Sequence, residues 1–230
     1  MILALAAALS AAAPAPATCP NVVTPEALVC RALQAQSGGH AEEAAQGFEE
    51  AAKASPDKDI RVARLWAAAG NLWIAAGQPG KAALDLDRAL ALPGLEAEQR
   101  GEALLDRARA AEAQNDFKTA RAKLSEAAVS ISSDPFYWYF SAALAIREGD
   151  AATAQSSISR ALTLAPSDAT ILFEAGHVAH FAGDDAKARA AWQRAAVIDS
   201  TGPIGKAARE AIAMLPAEAA VVTKPPAPPR

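Results

Sequence analysis

Cysteine, histidine and aromatic residues are all scarce in this chain of 230 residues: two Cys, three His and 5% aromatics. His40, His177 and His180 have no Cys near them in sequence, so nucleophile–base pairs and closed metal sites have little to be built from. His177 and His180 are three apart and share a helix face, but a closed metal site needs further ligands that this stretch does not offer. The sequence has no HExxH, GxSxG or dinucleotide-binding fingerprint. Gly77-Gln78-Pro79-Gly80-Lys81 fails as a phosphate loop, because Ala75 stands where the first Gly belongs and Ala82 replaces the Ser or Thr. Acidic pairs such as Glu42-Glu43, Glu49-Glu50 and Asp184-Asp185 are adjacent in sequence and diverge around a helix. The expectation is a protein that is not an enzyme, with no metal and no cofactor.

Neither sign of charge is in excess. Twenty-two Lys and Arg face 26 Asp and Glu, a net charge of −4, with no basic stripe of the kind that marks nucleic-acid binding. Long apolar runs are missing as well. Met1 to Ala13 is the longest, short of the roughly 20 apolar residues that span a bilayer.

What the chain does have is alanine. It is 52% hydrophobic, much of that Ala, and β-branched and aromatic residues are sparse, which predicts an all-α protein with closely packed helices. The apolar start is followed by Pro14-Ala15-Pro16-Ala17, and residues 1–17 read as a secretory signal cleaved after Ala17. No Lys or Arg precedes the apolar run; a membrane anchor is the alternative. Residues 18–24 form a short extension. Cys19 and Cys30 suit a disulfide if export delivers them to an oxidising compartment; free thiols are the competing reading. Thr18 and Pro16 fit a lipoprotein signal at Cys19 poorly.

The strongest signal is periodic. Asn115, Gly149 and Gly183 stand at intervals of 34, as do Ala120, Ala154 and Ala188, then Leu124, Ile158 and Trp192, then Ala127, Ala161 and Ala195. Four columns sharing one period point to stacked helix-turn-helix units rather than one globular core. Earlier steps, from Gly39 to Gly77 and from Gly77 to Asn115, are four residues longer, about one helical turn. Asp59 to Val62 and Ala97 to Arg100 are therefore expected to extend the first helices of units two and three, with a longer loop as the alternative.

Trp66, Gly70 and Trp73, then Ala82, Leu86 and Ala89, put large-small-large and small-large-small sets on successive helices. In this the chain resembles the tetratricopeptide repeat (TPR) family. The resemblance implies a right-handed α-solenoid of about five repeats over 25–202 (25–58, 63–96, 101–134, 135–168 and 169–202). A capping helix over 203–215 would close the array, and a Pro-rich tail over 216–230 would follow it. It further implies that the first helix of each repeat lines a concave groove. Counting along units four and five, the groove would present Phe136, Tyr139, Ala143, Ile146 and Arg147, then Thr170, Phe173, His177, His180 and Phe181. The peptide-binding residues are expected among these: Phe136, Tyr139, Ile146, Arg147, Phe173, His177, His180 and Phe181. Units two and three would offer the mixed polar wall of Arg64, Ala67, Asn71 and Ile74, then Glu102, Leu105, Arg109 and Glu112. Trp138 and Trp192 are assigned to packing between helices. The wall lacks the Lys and Asn set that family members use to clamp a terminal carboxylate.

The functional expectation is a protein–protein interaction scaffold, periplasmic or secreted, in a bacterial envelope. It would bind a protein or peptide partner, with no nucleic acid and no stable membrane span after signal removal. Two alternatives stand beside it: a self-assembling structural protein, for which a homo-oligomer is expected, and a cell-wall or carbohydrate-binding module.

Overall fold

The computed structural model describes residues 18–56 and 58–216; the expected signal over 1–17 and the tail beyond Pro216 lie outside the described residues. Among these, eleven α-helices run in the order α1 (Pro25–Ser37), α2 (Ala41–Ala54), α3 (Val62–Ala75), α4 (Pro79–Ala91), α5 (Ala97–Ala113), α6 (Phe117–Ile131), α7 (Pro135–Glu148), α8 (Ala151–Leu164), α9 (Ala169–Phe181), α10 (Asp185–Ile198) and α11 (Pro203–Met214), with no strand. The chain is an all-α solenoid. Odd and even helices pair as hairpins, each hairpin packs on the next, and α11 lies against α10 and α9.

Local chemistry explains the boundaries. Gly39, Gly77, Asn115, Gly149 and Gly183 all have φ between 60° and 79°. That is the left-handed region in which Gly, and less often Asn, is tolerated, so the turn column of the sequence marks the point where each hairpin reverses. Aspartates open many of the helices: Asp116, Asp150 and Asp184 each accept a hydrogen bond from the backbone N–H three residues on, and Asp134 accepts from Phe136. Thr24 does the same for Ala27 at α1, with Pro25 in the first helical position.

The small-large-small columns of the even helices are the core. Ala82, Leu86 and Ala89, then Ala120, Leu124 and Ala127, then Ala154, Ile158 and Ala161, then Ala188, Trp192 and Ala195 are all at most 3% exposed. Alanines let the paired helices approach, and the central large residue fills the space between them.

The two inserted segments behave differently. Ala97 to Arg100 lie inside α5, which reaches 17 residues. Asp59 to Arg61 instead form turns, and α3 starts only at Val62. Here the Asp59 carboxylate accepts from the Arg61 backbone and guanidinium, which competes with helix formation. Ile60 also packs so closely on the next loop that a side chain at Gly94 would strike its backbone carbonyl. At the amino end, Cys19 and Cys30 sit sulfur to sulfur with Cα atoms 5.7 Å apart, the arrangement of a disulfide. Arg31 donates to the carbonyls of Pro20 and Val22 across the same segment.

Candidate functional site: the wall of odd-numbered helices

Helices α3, α5, α7 and α9 touch in succession, so their outward faces make a continuous wall. Two cavities open on it. The first, of about 300 Å³, lies between α3 and α5 and is lined by Arg64, Ala67, Asn71, Glu102 and Asp106 among others. Its polar groups are largely tied to one another. Arg64 donates to Glu96 at 2.9 Å, Asn71 to Asp106 at 2.7 Å, and Arg109 to the other oxygen of Asp106 at 2.8 Å. Leu105, expected in this wall, is instead buried in the core. The Glu102 carboxyl is pushed up by burial and then by the negative charges of Glu98, Asp106 and Asp134.

The second cavity, of about 740 Å³, lies between α7 and α9 with Glu112 of α5 at its edge. Six of the eight expected peptide-binding residues line it: Tyr139, Ile146, Arg147, His177, His180 and Phe181. The other two do not. Phe136 is at the margin, stacked on Tyr139 with ring centroids 5.1 Å apart and covered by the Arg109 guanidinium at 5.5 Å. Phe173 packs on His177 of its own helix and turns toward α10, where its ring meets Trp192 and its carbonyl accepts from the Trp192 indole N–H at 2.9 Å. His177 and His180 also meet the Trp192 ring, at 5.4 and 6.1 Å, but unlike Phe173 they line the cavity as well. Trp192 is buried; Trp138 is half-buried, with its indole N–H donating to the Ser132 carbonyl.

The groups within the cavity differ in how they are held. Arg147 pairs with Glu112 at 3.1 Å, donates to the Asn115 side chain and lies over the Phe117 ring, so it forms a fixed rim. His180 pairs with Asp185 at 2.7 Å. Burial, with a smaller effect from His180, pulls the His177 pKa down, so its ring is neutral near pH 7. Burial pushes Tyr139 up. Sequence reasoning missed Glu174, whose carboxyl burial raises to about 7. One signal was there to be read: Glu174 is the single acidic residue of α9. Among the described residues no group of three or more His, Cys, Asp or Glu side chains is placed to hold a metal ion, and no helix is long and apolar enough to cross a membrane.

No protein-family model matches the sequence, and no curated protein matches it. Solved structures do match in fold. YrrB, described as a TPR protein with an unusual peptide-binding site, is 18% identical with a TM-score of 0.56 over 83% of this chain and 94% of that one. PilW, a widely conserved type IV pilus biogenesis factor, is 18% identical with a TM-score of 0.67 over 80% and 81%. Pseudomonas aeruginosa PilF is 14% identical with a TM-score of 0.63 over 82% of each chain. The chain therefore has the TPR fold, as its motif columns implied.

Proposed function

We propose that the protein is a non-catalytic interaction scaffold of the bacterial envelope that holds a peptide segment of a protein partner in the concave wall. The observation that carries this reading is the α7–α9 cavity, where aromatic and aliphatic side chains surround a few fixed polar groups. That composition suits a binding site, and aromatic residues with Arg are the types enriched at binding hot spots. The structural likeness to YrrB, itself described as having a peptide-binding site, agrees with it. Export rests on the apolar first residues and on Cys19 and Cys30, which we take to be disulfide-bonded in an oxidising compartment.

Site-specific photo-crosslinking in intact cells tests the reading. A probe at Phe181, which lines the cavity and is 40% exposed, is expected to give a discrete protein adduct. A control probe at Gln193, exposed on α10 and outside the cavity, is expected to give none. Equal or absent adducts would remove the groove as the binding surface, and an unprocessed Met1 on protein in the soluble cytosol would remove export.

A further inference from the structure

We propose that the α7–α9 cavity is a subsite for a basic side chain, a Lys or Arg of the bound peptide. Its cationic head pairs with the Glu174 carboxylate, and its methylene stem lies along Tyr139 and Phe181. This rests on the groove reading above and specifies the chemistry of the occupant.

The argument is one of charge left over. Glu112 in the cavity is paired with Arg147, and His180 with Asp185. Among the described residues nothing pairs with Glu174: burial alone sets its ionisation, and no cation or hydrogen-bond donor offsets it. His177, the titratable neighbour one helical turn on, is held neutral. Glu174 is partly buried in the cavity wall; a carboxyl so placed without a partner is costly to the free protein, and a ligand that supplies a cation converts that cost into affinity and selectivity. An aliphatic occupant would leave the carboxyl unpaired, whereas a cation favours its ionised form. The walls suit a Lys or Arg side chain in a second way. Tyr139, Phe140, Leu144, Ile146 and Phe181 are apolar or aromatic, so they cover an aliphatic stem, and the rings attract a cation over their faces.

The test starts from a random library of displayed 12-residue peptides selected on the immobilised protein, with recovered sequences synthesised and titrated by fluorescence anisotropy. The expected result is enrichment of Lys or Arg. Glu174→Gln is expected to weaken those peptides at least tenfold, and to do no further harm once the critical basic residue is replaced by norleucine or citrulline. Two variants probe the groove itself: Phe181→Ala, at an exposed position, and Ala143→Trp, which fills the cavity and is checked for retained helical dichroism. Selected peptides without basic residues, or binding to Glu174→Gln within twofold of the parent while Ala143→Trp or Phe181→Ala loses it, would overturn the basic subsite and leave the groove standing. Binding indifferent to both groove variants would overturn the groove reading too.

Discussion

Asp85 and Glu174 are carboxyls that the fold holds toward the protonated state, and together they determine how stability responds to pH. Asp85 is 2% exposed; one oxygen accepts from Arg88 at 2.8 Å and the other has no hydrogen-bond partner. Burial first, then the charge of nearby Glu49, raises it to about 6. Glu49 itself is held low: burial opposes its charge, but hydrogen bonds from Lys53 and the Trp73 indole outweigh that. A carboxyl whose folded pKa lies above its unfolded value binds its proton earlier in the folded state, so stability rises as pH falls through the folded pKa toward the unfolded one. For Asp85 and Glu174 that window runs from about pH 7 down to about 4. His177 works the other way, its lowered pKa removing stability below about 6.5, as do the helix-capping Asp116, Asp150 and Asp184 at still lower pH. We expect the urea midpoint to be higher at pH 5 than at pH 8. The Asp85→Asn, Glu174→Gln double variant should raise the pH 8 midpoint and flatten the profile. A midpoint that falls over this range, or a profile the double variant leaves unchanged, would refute this. Asp85 was not legible as buried in the sequence, because it alternates with Asp87 on a helix that also carries a solvated face, whereas Glu174 stood out only as the single acid of α9.

Between helices, the size of the central residue on the second helix is matched by what faces it on the first. Gly176 faces Trp192, and a Cβ there would come within 2.6 Å of the indole Cε2; Gly70 faces Leu86, whose Cγ would lie at 2.5 Å. In the third repeat Ala108 is buried together with Leu124 in one core cluster. Gly176→Ala gains about 1 kcal/mol of helix propensity, but the overpacking cost of typically 1–3 kcal/mol outweighs it. The expected outcome is a variant less stable by up to about 2 kcal/mol in urea unfolding. Adding Trp192→Leu should make the Ala substitution neutral or favourable, with a coupling energy of about 0.5–3 kcal/mol in the double-mutant cycle. Additive effects would show that the two sites do not share the space. These columns were legible because repetition displays them several times over, and so were the turns, since a left-handed backbone admits few residues. The exceptions were local. Periodicity could not tell that Asp59 would bond its own neighbour and divert one insertion into turns, nor that Phe173 would face Trp192 rather than the cavity. Most of the wall around the second cavity followed from the groove positions that the TPR resemblance implied, but its unpaired carboxyl depended on how α7 and α9 come together.

At the scale of the whole molecule, a solenoid is held by neighbour contacts, so its stability approximates a sum of repeat and interface terms and damage stays near where it is done. The two ends are secured by different means. At the amino end, residues 18–24 are tied to α1 by the Cys19–Cys30 pair and by Arg31. Such a short closed loop contributes on the order of 3 kcal/mol by restricting the unfolded chain. At the carboxyl end, α11 covers α9 and α10, with Ala208 and Leu215 buried in the same cluster as Leu172 and Trp192. Hydrogen exchange by mass spectrometry separates these contributions. Reduction with dithiothreitol is expected to speed exchange in α1 and α2 and leave α9 and α10 within twofold of their rates. Truncation after Gly202 should do the reverse, speeding α9 and α10 at least tenfold, equivalent to about 1.4 kcal/mol of lost protection. The cavity is lined chiefly by α7 and α9, so under the proposed groove function the truncated protein should bind a selected peptide more weakly while the reduced protein binds it as the parent does. Loss of protection spread evenly along the chain in either case would mean that the array unfolds as one unit, and that both ends contribute to the stability of the wall of odd-numbered helices.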